Sequence, residues 1–240
     1  MTESAQPHRQ PEEKLPARAP ERAPLPAGRR DYRDRTALAR RPNGQLLAPA
    51  YVPAPADGRP YRLVLLLHGA GGSPRHGLEL LLPVADHHHL LLLAPKSTAS
   101  TWGLIIEGYG PDVHRIDRVL EDVLEDPVDA ITIGGFSDGA SYALSIGLTN
   151  GDLFDAVLAF SPGFTAPLVT HGRPRVYVSH GTGDRVLPID ACSRRIVPRL
   201  HALGYPARYE EFDGGHEVSD AIAEHALAWL LTGAAATDRS

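Results

Sequence analysis

Residues 130–140 read AITIGGFSDGA, and this stretch decides the fold. A β-branched run at 130–133 leads into Ser137, which stands between glycines, and an Ala- and Leu-rich segment at 138–148 follows. The pattern G-x-S-x-G is typical of a sharp strand-to-helix turn that exposes a nucleophilic serine. The same letters also occur in ordinary glycine-rich loops, so the surrounding sequence has to distinguish the two.

Short apolar runs alternate with longer amphipathic segments on both sides of this stretch. The runs predict strands at 62–67, 90–94, 130–133, 156–160, 175–179 and 207–212. The amphipathic segments predict helices at 74–88, 111–126, 138–148, 190–203 and 218–231. This alternation predicts an α/β fold with a mostly parallel central sheet and helices on both faces. Upstream, Pro42-Asn43-Gly44 separates two further runs and predicts a hairpin at an antiparallel sheet edge.

Length and composition favour one globular domain. The chain has 240 residues, of which 42% are hydrophobic and 22% charged, with a formal net charge of −5. Residues 1–30 are rich in Pro and Arg and poor in large apolar side chains, so we expect a disordered tail, a single domain at 31–235 and a flexible end at 236–240. Residues 1–41 carry a formal charge of +4, and the acidic remainder, at −9, argues against nucleic acid as a partner.

The compartment is expected to be the cytoplasm. No apolar run approaches the roughly 20 residues of a membrane span, and no apolar segment follows Arg29-Arg30 or Arg40-Arg41 as an export signal requires. Cys192 is the single cysteine, so an intrachain disulfide is excluded. A homodimer is compatible with the sequence, which carries no signal for or against it.

Three reactive side chains follow predicted strands in the order Ser137, Asp184, His216. Carboxyl ends of parallel strands meet at one edge of the sheet, so we expect the three to converge there. A serine hydroxyl needs a neighbouring base, which His216 supplies, and Asp184 would hold the imidazole in its correct tautomer. Taken singly, the acid reads as a loop residue and the histidine as a surface residue. Their joint order favours a catalytic triad.

The chain resembles the α/β-hydrolases. The resemblance is carried by HGAGG at 68–72, the serine turn, HGTGDRVLP at 180–188 and GGH at 214–216, and it extends over residues 60–232. Within the superfamily the chain is similar to the small carboxylesterase, lysophospholipase and acyl-thioesterase group, which is related to dienelactone hydrolases but has serine in place of cysteine. The resemblance implies an esterase that works through an acyl-enzyme and uses no cofactor.

Backbone N–H groups complete the expected site. The N–H of Asp138, directly after the nucleophile, and that of Ala70, in the loop after the first parallel strand, are the predicted oxyanion donors. Gly135 and Gly139 are expected to let the turn and its helix approach without a Cβ clash.

The substrate is expected to be a small ester of short-to-medium acyl or aryl type, a lysophospholipid or a thioester. The connection between residues 160 and 175 is too short for a helical lid, which predicts a site open at one side. Predicted pocket residues are Trp102, Tyr109, Phe164 and Leu187, although aromatic residues such as Tyr142 and Phe164 are equally typical of core packing.

Competing features are weaker. Consecutive residues His87-His88-His89 cannot converge on one ion from a shared helix face, so no metal is predicted. The glycine-rich 68–73 lacks the lysine of a phosphate-binding loop. Cys192 reads as a packing residue in a helix, and Asp112 as a helix N-cap. A serine peptidase or amidase, an acyltransferase, and a non-catalytic binding protein on the same scaffold remain open alternatives.

Overall fold

The structure is a computed structural model that describes residues 37–40, 46–51, 61–85, 88–103, 110–123 and 128–232. The predicted tail at 1–30, the end at 236–240 and Tyr109 lie outside these residues. The strands are β1 Ala37–Arg40, β2 Leu46–Tyr51, β3 Tyr61–Leu67, β4 Leu90–Leu93, β5 Val128–Phe136, β6 Ala156–Phe160, β7 Arg175–Gly181 and β8 Ala207–Phe212. The helices are α1 Pro74–Glu79, α2 Leu82–Ala85, α3 Gly110–Val123, α4 Asp138–Thr149, α5 Ser193–Ala202 and α6 Asp220–Thr232.

The strands form one sheet in the order β1-β2-β4-β3-β5-β6-β7-β8. Pairing is parallel from β4 to β8, as the alternation of strands and helices predicted. Strand β2 pairs antiparallel with β1 and with β4, which confirms an antiparallel edge. The Pro42-Asn43-Gly44 connection itself lies outside the described residues. The chain therefore has the predicted α/β-hydrolase architecture.

Helices cover both faces of the sheet, so the central strands are buried on both sides. One apolar cluster joins alternate strand residues such as Leu65 and Ile133 to side chains of α3, α4 and α5. The other joins residues such as Leu66 and Leu158 to α1, α2 and α6. Each fully buried leucine contributes about 2 kcal/mol of transfer free energy, which explains the near-continuous apolar runs of the parallel strands.

The structure differs most from the predicted helices in two places. The helix predicted at 74–88 is divided into α1 and α2. Pro83 lacks an N–H and cannot continue α1, yet it is well suited to the first turn of α2. Helix α5 begins at Ser193, so Cys192 occupies its N-cap position and not the helix interior, although its side chain is buried as predicted.

None of the helices in the described ranges is long and apolar enough to cross a membrane.

Candidate active site

Ser137 occupies the turn between the end of β5 at Phe136 and the start of α4 at Asp138. Its backbone has φ 57° and ψ −119°, a left-handed conformation that non-glycine residues rarely adopt. The Ser137 N–H donates to the carbonyl of Phe160 at 2.9 Å, which anchors the turn to β6. Strain of about 1–3 kcal/mol at a single non-glycine residue is typical of functional sites.

Glycines make this turn sterically possible. A Cβ on Gly135 would lie 2.6 Å from the carbonyl oxygen of Gly139 and 2.7 Å from that of Leu67. A Cβ on Gly139 would overlap the carbonyl oxygens of Leu67 and His68. Both contacts are with backbone, which cannot rotate away, so the predicted role of the two glycines is confirmed.

The structure brings together the three side chains predicted to act in catalysis. The Ser137 hydroxyl donates to His216 Nε2 at 2.9 Å, and His216 Nδ1–H donates to Asp184 Oδ2 at 2.6 Å. The His216 side chain is 15% exposed and that of Asp184 is fully buried. The ring of Phe136 packs against that of His216, with 4.6 Å between the ring centroids. One nitrogen of the imidazole therefore faces the serine while the other is held by the acid.

Asp184 is held as a buried carboxylate. Its Oδ1 accepts the backbone N–H groups of Val186 and Leu187, each at 2.8 Å. Burial opposes ionisation of Asp184, but hydrogen bonds from His216 and from these backbone groups outweigh burial and hold its pKa below the ordinary value. The carboxylate therefore stays charged where it orients the imidazole.

The loop after β3 lies beside Ser137. A Cβ on Gly69 would be 3.4 Å from the Cβ of Ser137. The N–H of Gly71 donates to the carbonyl of Ser100 at 2.6 Å and that of Gly72 to Gly69 at 2.9 Å. Ala70, which lies between Gly69 and Gly71, is exposed.

Asp138 contributes the second predicted oxyanion donor. It is the first residue of α4, so its N–H has no acceptor within the helix. Both expected oxyanion donors, Ala70 and Asp138, thus belong to segments that adjoin Ser137.

A buried histidine braces the loop after β3. His68 Nδ1–H donates to the carbonyl of Gly69 at 2.8 Å, and Nε2 accepts the N–H of Ser97 at 3.3 Å. Burial lowers the pKa of His68, which favours this neutral form. Lys96 Nζ donates to the carbonyl of Gly72 at 2.7 Å, so both ends of the glycine-rich segment are anchored.

Trp102, a predicted pocket residue, lies within the core. It is 3% exposed, and its ring packs between those of His68 and Tyr142 at centroid distances of 5.0 and 5.4 Å. Its indole N–H donates to the carbonyl of His68 at 2.8 Å. These contacts make Trp102 a support for the wall of the site, because its ring is packed against side chains on both sides.

Asp112 has a different position from the one predicted. It lies within the first turn of α3, not at the N-cap, and it is fully buried. Its carboxylate accepts the N–H of Thr98 at 2.7 Å and that of Gly103 at 2.9 Å. Asp112 thus holds the loop that carries Trp102, a role that the Gly-Pro-Asp sequence at 110–112 did not reveal.

The other two predicted pocket residues in the described part of the chain adjoin the loop after β6. Phe164 and Leu187 are both half-buried, and a Cβ on Gly163 would lie 3.3 Å from Leu187 Cδ2. The hydroxyl of Ser141 accepts the N–H groups of Gly163 at 2.9 Å and Phe164 at 3.4 Å. Residues 161–174 contain no helix, so no helical lid is inserted between β6 and β7.

No family model matches the chain. Among curated proteins, acyl-protein thioesterase 1 of Eremothecium gossypii is 28% identical, over 56% of this chain and 62% of that protein. The chain thus spans less than two thirds of the length of this relative.

Solved structures share the fold over a larger part of the chain. Esterase PE8 has a TM-score of 0.64 and 26% identity, and the match covers 77% of this chain and 97% of the esterase. The phospholipase/carboxylesterase of Dyadobacter fermentans has a TM-score of 0.59 at 21% identity, covering 72% and 91% of the two chains, which supports the fold. The sheet order, the serine turn and these similarities together show that the chain has the α/β-hydrolase fold and is similar to esterases.

Proposed function

We propose that the chain is a serine hydrolase that cleaves carboxylic esters through an acyl-enzyme on Ser137. The observation that carries this proposal is the continuous hydrogen-bonded series from Ser137 through His216 to the buried carboxylate of Asp184. A left-handed nucleophile on a strand-to-helix turn, with a base and an oriented acid in line, is suited to acyl transfer.

In the proposed acylation step, the Ser137 oxygen attacks the ester carbonyl carbon while His216 Nε2 takes the hydroxyl proton. Asp184 stabilises the imidazolium that forms and does not itself take the proton. The carbonyl oxygen becomes an oxyanion, for which the N–H groups of Ala70 and Asp138 are the proposed donors. One such donor typically contributes about 3 kcal/mol of transition-state stabilisation.

In the following steps, His216 returns its proton to the leaving alkoxide, and the C–O bond to the alcohol breaks. Water then attacks the acyl-enzyme and gives a proton to His216. Collapse of the second tetrahedral intermediate releases the carboxylic acid and restores the Ser137 hydroxyl. Asp184, whose two oxygens accept three N–H groups, keeps one imidazole orientation through both steps.

The proposed substrates are esters of short-to-medium acyl or aryl type, with thioesters and lysophospholipids as further candidates. The loop at 161–174 has no helix and runs close to α4, which supports an open site. The name of the Eremothecium gossypii relative makes a thioester the first alternative to an oxygen ester.

A panel of p-nitrophenyl esters from acetate to decanoate, with matched thioesters and anilides, tests this proposal. We expect turnover of short and medium esters that is lost in Ser137→Ala, and anilide turnover at least about 100-fold slower, because an amine is the poorer leaving group. Equal turnover of anilides would favour a peptidase or amidase. Ester turnover that persists in Ser137→Ala would contradict the proposal.

The expected cytoplasmic location and the homodimer stay predictions.

A further inference from the structure

A second histidine, His180, lies directly behind the carboxylate of Asp184. It is near the end of β7, is fully buried, and shares a sheet face with Val176 and Val178 beneath α5. A polar ring at such a position is costly to bury unless both of its nitrogens have partners. The acyl-transfer steps above do not use it, so its presence in an apolar strand requires another explanation.

Both ring nitrogens of His180 have partners that fix the tautomer. Nε2 lies 2.8 Å from the carbonyl oxygen of Leu187, which can only accept, so Nε2 carries a hydrogen. Nδ1 lies 2.6 Å from the hydroxyl of Ser193 at the start of α5. In the neutral ring Nδ1 is an acceptor, and the Ser193 hydroxyl is the donor.

The same N–H lies against the acid. His180 Nε2 is 3.2 Å from Asp184 Oδ2, the oxygen that accepts the N–H of His216 at 2.6 Å. The positive end of the His180 N–H dipole therefore reduces the negative charge that Asp184 presents to His216.

His180 also holds the turn that carries the acid. The Leu187 carbonyl accepts from His180, and the Leu187 N–H donates to Asp184 Oδ1 at 2.8 Å. The turn at 184–187 is thereby fixed through both backbone groups of Leu187.

Other charged groups around His180 are already paired. Glu211 of β8 lies opposite His180 in the sheet register, and Arg194 of α5 binds its two oxygens at 2.9 and 2.6 Å. The thiol of Cys192 is buried. Burial is the main cause that raises the pKa of this thiol, and the negative charge of Asp184 adds to the effect, so the thiol stays neutral. Asp184 is thus the carboxylate that lies beside His180, with its Oδ2 3.2 Å from His180 Nε2.

We propose that His180 is a positioning residue that carries a hydrogen on Nε2 and accepts the Ser193 hydroxyl at Nδ1, fixes the 184–187 turn and moderates the charge that Asp184 exerts on His216. This inference rests on the proposed function, because it assigns His180 to the acid of that site. Without the N–H, Asp184 stabilises the protonated form of His216 more strongly. The protonated imidazole cannot take the Ser137 proton, so activity is lost at the acidic side of the pH range.

Two substitutions distinguish the effect of losing the His180 N–H donor from the effect of changing the volume of the side chain. In His180→Met the side chain fills similar space without an N–H, and in His180→Gln the amide nitrogen takes the place of Nε2 as donor. For His180→Met we expect the acidic limb of kcat/KM to move to higher pH by about half a unit, and kcat/KM at pH 7 to fall by up to about three-fold. For His180→Gln we expect the acidic limb of kcat/KM to stay at the pH found for the original protein. Ser179→Ala, next along β7 on the opposite face, is the matched control.

A pH profile of His180→Met that matches the original protein would overturn the proposal, as would an equal shift in both variants. Nitrogen-15 NMR of the unsubstituted protein tests the tautomer even if a variant fails to fold. We expect a protonated Nε2 and an unprotonated Nδ1 for His180 at pH 7, and the reverse assignment or a charged ring would overturn the inference. This readout needs no substrate, so it is distinguishable from a failure of the esterase proposal, which would appear as inactivity of the unsubstituted protein.

Discussion

The carboxylate of Asp138 accepts the backbone N–H of Trp102 at 2.9 Å, and this hydrogen bond ties the loop after β4 to the residue directly after Ser137. Sequence reasoning assigned Asp138 a role only through its own N–H. Its side chain proves to link two walls of the site, and together with Asp112 it fixes the loop at three backbone N–H groups.

This position predicts how stability depends on pH. Burial raises the pKa of Asp138, and the hydrogen bond from Trp102 only partly offsets it. A carboxyl whose pKa is raised in the folded protein favours the folded state most when protonated, and this contribution is lost as pH rises through the folded pKa. Asp138→Asn, which is uncharged throughout, should therefore gain in melting temperature relative to the original protein between pH 4 and pH 8. Thermal unfolding of both proteins across that range measures it, and parallel curves would contradict the prediction.

The left-handed backbone of Ser137 predicts a difference in stability between two variants that lack the Ser137 hydroxyl. Alanine keeps the Cβ that makes φ 57° unfavourable, whereas glycine removes it. Ser137→Gly should be more stable than Ser137→Ala by about 1 kcal/mol of unfolding free energy. Urea unfolding at pH 7 compares the two, and equal stabilities would mean that the turn relaxes to an unstrained backbone.

Close packing of the serine turn predicts a severe effect at Gly135. Its Cβ would lie 2.6 Å from Gly139 backbone atoms, so Gly135→Ala should lose roughly 3 kcal/mol or more of unfolding free energy and displace Ser137. Gly215→Ala is the matched control, because nothing lies within 4 Å of a Cβ at that position. The control should change stability by less than about 0.5 kcal/mol. Similar losses in both variants would refute the packing argument.

The Ser141 hydroxyl is predicted to hold the loop after β6 in place. Ser141→Ala removes the acceptor for Gly163 and Phe164, which should cost about 1–2 kcal/mol of unfolding free energy. The loosened loop should change KM for medium-chain esters more than kcat. The hydroxyl of Ser179 is buried without a hydrogen-bond partner among the described residues, so Ser179→Ala should be neutral. If KM were unchanged across the ester panel, the loop after β6 would have no part in substrate binding, and the prediction would be contradicted.

The sheet was predictable from sequence because parallel strands are buried on both faces. Such strands appear in the sequence as short, nearly continuous apolar runs, a pattern that few other elements produce. The serine turn was predictable for a similar reason, since Gly135 and Gly139 meet the backbone of Leu67 and His68 and no other residue fits. The division of the helix predicted at 74–88 was less visible. Pro83 is a signal for this break, but the helical spacing of apolar residues continues across both α1 and α2 and hides it.

The parts that sequence did not reveal depend on contacts between distant segments. Trp102 was predicted to line the pocket because it follows a strand. Its ring is instead buried between His68 and Tyr142, which belong to the loop after β3 and to α4, segments distant from Trp102 in the sequence. Likewise, His180 stands at the end of an apolar run and carries a polar ring into the core. That contrast was a usable signal, but its partners Leu187 and Ser193 could be found only in the folded chain.

Covalent labelling of the folded protein with a fluorophosphonate, followed by intact-mass and peptide analysis, tests the proposed reactivity of Ser137 most directly. We expect one adduct per chain on Ser137, no adduct in Ser137→Ala, and labelling slowed at least about 1,000-fold in His216→Ala, because the hydroxyl then has no base. Labelling at another residue, or an unlabelled Ser137 in protein that still hydrolyses esters, would contradict the assignment of Ser137 as the nucleophile.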